Sequence, residues 1–265
     1  MNGTDDPRLN PPREYSSAEN PQSDRDVAQE SPASASGQSD APEPSDVVIV
    51  DQAGRPLGPR ALRTRRRILE ATMALLAEKP TRELRVIDIA RRIGSSPATF
   101  YQYFKDVEDA ILSLAAQAEE TTPLLVSLII GDWTGEEGLE RGKQIMRLVI
   151  DHWARFAPVL RARNNASDEG NPALREARMA AMMPIVEAFR LAIERNHEAS
   201  AIGAEPSTEQ AYGSIDPLIA GTALASCLER MSMYHVWIDE LGGTRERLIE
   251  TTATLMQMMV LSPPR

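Results

Sequence analysis

The sequence predicts an all-α protein. Apolar residues recur at three- and four-residue spacing from about residue 60 to the end, and no segment keeps the strict alternation of a half-buried strand. Glycine, proline and short polar clusters interrupt the pattern at helix-length intervals. The 265 residues suit one large domain or two small ones. Hydrophobic residues make up 42%, enough for a core, and aromatics only 5%, so that core should be built from Ala, Leu, Ile, Val and Met.

The elements follow in order. Residues 1–46 hold seven prolines and eight serines and almost no large apolar side chains. They cannot bury enough surface to offset chain entropy and are expected to be disordered. The apolar island Val47-Val48-Ile49-Val50 is either a short strand or a docking segment, and 51–59, with Gly54, Pro56, Gly58 and Pro59, reads as a linker. Ile68, Leu69, Thr72, Leu75 and Leu76 line one face of a first helix, about 62–78, ended by Pro80. Val86, Ile89, Ala90 and Ile93 make a short second helix closed by Gly94. Ser96 caps a third and Pro97 suits its first position; Phe100 and Phe104 hold one side of it, with Thr99, Tyr101, Gln102, Tyr103 and Lys105 on the rest. Asp106 opens a fourth, about 107–120. Helices are further expected at 124–130, 137–164, 172–198, 215–240 and 244–261, with loops at 131–135, 164–171 and 199–213. Pro184 should kink or break the segment that contains it.

The formal charge of −10 first argues against nucleic acid, but its distribution reverses that. Residues 1–54 carry net −8, residues 55–105 net +8, and residues 106–265 net −10. A compact basic segment between acidic ones marks a nucleic-acid module or, less specifically, a solvated basic face. One cysteine, Cys227, excludes an internal disulfide and a thiolate metal site. His152, His197 and His235 have no metal-ligand spacing, and Asp151-His152 are helix neighbours that do not face each other. No glycine-rich phosphate loop, nucleophile elbow or carboxylate pair is present, so no catalytic residue, metal or cofactor is expected. Without an apolar leader or a membrane-length run, a cytoplasmic location is expected.

The two helices joined through Gly94-Ser95-Ser96 satisfy a helix-turn-helix. Ala90 is small where they cross, Gly94 turns the chain, and the second helix is anchored within and polar without, fit for a major groove about 12 Å wide. An ordinary helical hairpin with two buried Phe is the bland alternative. Thr64-Arg65-Arg66-Arg67-Ile68-Leu69-Glu70-Ala71, Ile89-Ala90, Gly94, Ser96-Pro97-Ala98-Thr99-Phe100-Tyr101-Gln102-Tyr103-Phe104 and Glu108 resemble the DNA-binding domain of tetracycline-repressor-type (TetR) regulators, over about residues 60–112. Around Leu228-Glu229-Arg230 and Tyr234 the chain is more loosely similar to the branch of the mycobacterial ethionamide-resistance repressor.

The resemblance implies a homodimer with a three-helix DNA-binding domain at 60–106, after a tail and linker at 1–59, and a helical effector-binding and dimerisation domain at 107–265. It matches Thr99, Tyr101, Gln102 and Tyr103 to positions that reach phosphates and base edges, and Phe100 and Phe104 to the core. Phosphate contacts are expected from Arg60, Arg63, Arg65, Lys105, Thr99 and Tyr101, and base readout from Gln102, Tyr103 and Ala98. Arg63, Arg65 and Arg66 could instead lie as an arm over the minor groove. Two positions depart from the family: Val107 stands where a phosphate-binding lysine is usual, and Arg85 replaces the usual Thr or Ser cap, leaving a backbone donor open.

Met and aromatic residues gather in 124–240. Trp133, Trp153, Phe156, Met179, Met183, Phe189, Met233, Tyr234 and Trp237 form either a pocket for a small hydrophobic effector or plain core. Ala223, Leu224, Leu228, Leu248, Thr252, Leu255 and Met259 give small and apolar faces on the last two helices, suited to a four-helix bundle between two copies or to packing within one. The function expected is that of a sequence-specific transcriptional regulator, a repressor released from a palindromic operator. A C-terminal half that binds another protein is the alternative.

Overall fold

A computed structural model describes residues 49–201 and 215–262. The expected disorder of 1–46, residues Val47-Val48 and most of the polar loop at 199–213 lie outside the described residues. The helices are α1 (Pro59–Glu78), α2 (Val86–Arg92), α3 (Pro97–Tyr101), α4 (Val107–Ala118), α5 (Thr122–Ile129), α6 (Gly135–Asp168), α7 (Pro172–Ala201), α8 (Pro217–Tyr234) and α9 (Arg245–Val260). Short 3₁₀ turns lie at Thr81–Glu83 and Glu119–Thr121. Among the described residues the one departure from helix pairing is an antiparallel bridge between Val50 and Pro56.

The first four helices follow the expected order with shifted ends. Pro59, expected in a linker, is the first residue of α1, where its missing N–H costs nothing. α2 ends in a Schellman motif: Ser95 N–H donates to Ala90 O at 2.9 Å and Gly94 N–H to Arg91 O at 3.1 Å. That turn needs φ of +65° at position 94, which only glycine adopts without strain. The donor left open by the missing cap side chain, Asp88 N–H, turns to Arg85 O at 2.9 Å, and the Asp88 carboxylate accepts from Arg85 N–H at 3.2 Å. Ser96 caps α3 through Thr99 N–H at 3.3 Å, and Asp106 caps α4 through Asp109 N–H at 2.9 Å. α3 itself stops at Tyr101, so Tyr103, Phe104 and Lys105 leave it as turns.

The long helices correct three boundaries. The loop expected from 164 is helical to Asp168; α6 closes at Gly170, with Asn171 N–H on Ala166 O at 2.9 Å and Gly170 N–H on Ser167 O at 3.1 Å. Pro184 does not end its segment, since α7 runs from Pro172 to Ala201. A helix-interior proline costs roughly 3 kcal/mol. The burial of Val186, Ala188, Phe189, Ala192 and Ile193 just beyond it offsets that cost. α8 is shorter than 215–240: residues 235–241 are a run of turns.

Residues Val47–Arg265 cluster as one unit, with no break at 106. α4 explains why. It packs on α1 and also on α6 and α7, so one helix serves the cores on both sides. The core is largely aliphatic as expected, with Ile68, Ile89, Phe100, Phe104, Ile111 and Leu114 in the first part and Ile145, Met146, Ile150, Phe189 and Ile193 in the second. α7 and α8 touch backbone to backbone at Gly221, where an added Cβ would stand 2.7 Å from Val186 O.

Candidate nucleic-acid interface

The head is held from inside and left open outside. Phe100 and Phe104 are fully buried with ring centroids 5.6 Å apart, so α3 and the turn after it are pinned on one face. Ala98, Tyr101, Gln102 and Lys105 face solvent, Tyr101 at 52%, while Thr99 and Tyr103 are half-buried. Thr99 shares its hydroxyl with Ser96 at 3.2 Å. These are groups that can reach phosphates and base edges without disturbing the core.

The arginines divide. Arg60 and Arg63 are exposed with no carboxylate partner among the described residues. Arg65 is engaged within the subunit: its guanidinium donates to Ser113 Oγ at 3.2 Å and lies 4.9 Å over the Phe104 ring. It tethers α1 to α4, which argues for a structural role over the phosphate contact expected of it. Arg67 donates to Ile93 O at 2.6 Å and completes the end of α2, while Arg66 faces Glu70 and Arg92 faces Glu78. Lys79 bonds Asp88 at 2.6 Å, and that hydrogen bond holds the Asp88 carboxyl below its usual range.

Sequence reasoning missed a second layer. Residues 49–57 fold into a tight turn: Leu57 N–H donates to Ile49 O and Asp51 N–H to Arg55 O, both at 2.9 Å, with Asp51 and Arg55 paired at 2.7 Å. The turn docks on the end of α3. Gln52 N–H donates to Gln102 O at 3.2 Å, and its side chain donates to Tyr103 O at 3.2 Å and Asp109 Oδ2 at 3.4 Å. No local motif announces a contact across 51 residues.

A cavity opens among α5, α6, α7, α8 and the end of α4, with about 660 Å³ of unfilled space, partly open to solvent. About 70 Å³ of that is wide enough for the centre of a water molecule. Of the nine pocket residues expected, only Trp153 lines it. Trp133 is fully buried core, its Nε1 donating to Ile129 O at 2.8 Å and its ring 6.2 Å from Phe189. Phe156 is buried beside His152, and Phe189 is core. Met179, Met183 and Trp237 are exposed at 50%, 45% and 50%, and Met233 and Tyr234 are half-buried outside the cavity. Helix phase explains the miss: the lining comes from Leu148, Val149, His152, Trp153, Leu160 and Arg163 on α6 and from Ala181, Met182 and Ile185 on α7, adjacent in sequence to several of the residues expected.

Residues 68–110 match the sequence model described as bacterial regulatory proteins, tetR family. Over this segment the chain is similar to the DNA-binding part of tetR-family regulators. The match spans α1 from Ile68 through the turn after α3 and into α4, the same groups that build the head. No curated protein sequence matches the chain. Solved structures of similar fold include a TetR-family transcriptional regulator from Syntrophomonas wolfei, with 17% identity and a TM-score of 0.52, covering 76% of this chain and 96% of that one. A transcriptional regulator from Pseudomonas aeruginosa PAO1 has 12% identity and a TM-score of 0.59, covering 78% and 93%. A complex of SmeT, the repressor of a Stenotrophomonas maltophilia multidrug efflux pump, with triclosan has 16% identity and a TM-score of 0.51, covering 76% and 90%.

The residues expected at a dimer interface divide by burial. Leu224, Leu228, Leu248 and Thr252 are buried within the subunit. Ala223 and Leu255 face outward, and Met259 is half-buried. The outward apolar face of α8 and α9 also carries Leu218, Ile219 and Met258, exposed at 48%, 67% and 64%. No described helix is long and apolar enough to cross a membrane.

Proposed function

We propose that the regulator is a homodimeric repressor that reads a palindromic operator and releases it when a small hydrophobic effector enters the cavity. The observation that carries the DNA reading is the division of α3 and its following turn. Phe100 and Phe104 are fully buried while Ala98, Tyr101, Gln102 and Lys105 face solvent beside the unpaired Arg60 and Arg63. Residues 60–106 then act as the DNA-binding domain and 107–265 as the effector-binding and dimerisation domain, although α4 packs on both. Thr99, Tyr101, Arg63 and Lys105 contact phosphate, and Gln102, Tyr103 and Ala98 read base edges.

The outward residues Leu218, Ile219, Ala223, Leu255 and Met258 support dimerisation, because a monomer gains nothing from exposing them together. Two copies joined there present two heads to two half-sites, as a palindrome requires. The effector reading is supported by the cavity's apolar lining and by the complex of SmeT, a protein of similar fold, with triclosan. Ala118 and Glu119, at the end of α4, line the cavity. A ligand that binds one spacing of the helices better than the other shifts the head through α4.

Selection from a random duplex DNA pool tests this. Enrichment of a palindrome, with two chains bound per duplex, is the expected result. No enrichment at low salt, with a folded dimer verified, would overturn sequence-specific reading. Single half-sites bound by one chain would overturn the dimer.

A further inference from the structure

The cavity has one polar wall, and its charges are unevenly satisfied. Arg163 is 4% exposed, yet its one hydrogen bond among the described residues is from Nε to Asn164 Oδ1 at 3.1 Å. Among the described residues its two terminal nitrogens have no acceptor and no carboxylate stands within salt-bridge reach, and the side chain lines the cavity. A largely buried guanidinium whose terminal donors face open space marks a place for an acceptor. His152 lines the same wall with a buried Nδ1 that has no partner. Burial first, then the nearby charges of Arg163 and Arg155, hold its imidazole below its ordinary value, and so in the neutral form.

Neither carboxylate of the wall hydrogen-bonds Arg163, although Glu229 and Glu119 both act on its charge through space. Glu229 is already held, accepting from Asn164 Nδ2 at 2.6 Å and from Arg178 at 3.5 Å. Burial raises the Glu119 carboxyl above its ordinary value, against the opposing pull of Arg163. A cationic ligand would meet Arg163 at close quarters and find Glu229 taken. The rest of the lining is largely apolar, with Leu125, Leu148, Trp153, Leu160, Met182 and Ile185.

We propose that the effector is an amphipathic acid whose carboxylate is bound by Arg163 and His152 while its hydrocarbon body lies along the apolar wall. This rests on the effector reading above. A carboxylate accepts two parallel hydrogen bonds from the terminal nitrogens of a guanidinium, the geometry Arg163 leaves open. The enclosed space is narrow, so entry of the hydrocarbon body is coupled to movement of α6 against α7 and α8. Binding and helix movement are therefore one event.

The test is titration calorimetry on the full chain with three eight-carbon probes that differ only in head group: octanoate, octanol and octylammonium. Octanoate should bind at least tenfold tighter than the other two. In Arg163→Met, octanoate should weaken at least tenfold while octanol is unchanged; if that variant loses its helical circular dichroism, the head-group order of the natural chain decides alone. Equal binding of all three, or preference for octylammonium, would overturn the acid while leaving an effector cavity in place. No heat from any probe, with operator binding intact, would overturn both the acid and the effector cavity.

Discussion

In the head of the molecule nearly every arginine and carboxylate near the core has a partner within the protein. Arg65 meets Ser113 and Phe104, Arg67 meets the end of α2, Lys79 meets Asp88, and Gln52 meets two carbonyls and Asp109. The groups left free there are at the surface. In the body the order is inverted: buried Arg163 leaves its terminal nitrogens without an acceptor among the described residues and half-buried His152 has a buried Nδ1 without one, while the more open Arg178 and Arg190 are paired. A surface that meets a large polyanion needs a rigid frame and free exposed donors. A cavity for a small molecule needs free buried donors, since only an enclosed ligand can match them. Where the unmatched polar groups lie therefore separates the part proposed to read DNA from the part proposed to sense an effector.

Five changes would break or sharpen that contrast. Phe100→Ala should cost the frame about 3–5 kcal/mol and abolish operator binding, checked by denaturant unfolding and mobility shift. A folded variant with normal affinity would show that the head does not depend on its buried ring. Gly221→Ala should cost about 1–3 kcal/mol by forcing α7 and α8 apart, checked by denaturant unfolding of the full chain. Tyr103→Ala should keep its circular dichroism and lose about 1–3 kcal/mol of operator affinity, and unchanged affinity would remove Tyr103 from base readout. Arg63→Ala should lower the slope of log affinity against log salt by about 0.9 with no change in Tm, whereas Arg65→Met should lower Tm more than the slope. The reverse order would mean that Arg65, not Arg63, reaches phosphate.

The smallest effect concerns pH. The Asp88 carboxyl is held below its unfolded value, first by the hydrogen bond from Lys79. A lowered carboxylate stabilises the fold above its unfolded value, and that contribution disappears as pH falls through the folded one. Asp88→Asn should therefore be slightly less stable than the natural chain at neutral pH and converge with it in acid. A constant difference in Tm at every pH would assign the loss to packing.

The head was legible because its signals are local. Gly94, the Ser96-Pro97 cap and the Phe100–Phe104 pair each act within one turn of the residues they organise, and each stands where expected. What was missed depends on contacts distant in sequence. Arg65 could not be told from its neighbours before Ser113 and Phe104 were seen beside it. The cavity was misplaced because counting Met and Trp weighs composition, whereas lining is set by helix phase. One signal was available: Trp153, Phe156, Leu160 and Arg163 follow helical spacing, so an arginine continues an apolar stripe. The continuation of α6 and α7 beyond their expected limits depended on tertiary packing, which overrides local propensity.

The turn at 49–57 has a practical bearing on where this chain can be cut. The family match begins at Ile68 and α1 at Pro59, and either looks like a natural start for a shortened DNA-binding fragment. Both would discard Gln52, and with it the donors that close the carbonyl end of α3 at Gln102 and Tyr103. A fragment begun at Ile49 keeps that closure, and one begun ten residues later exposes the last turn of its reading helix to water.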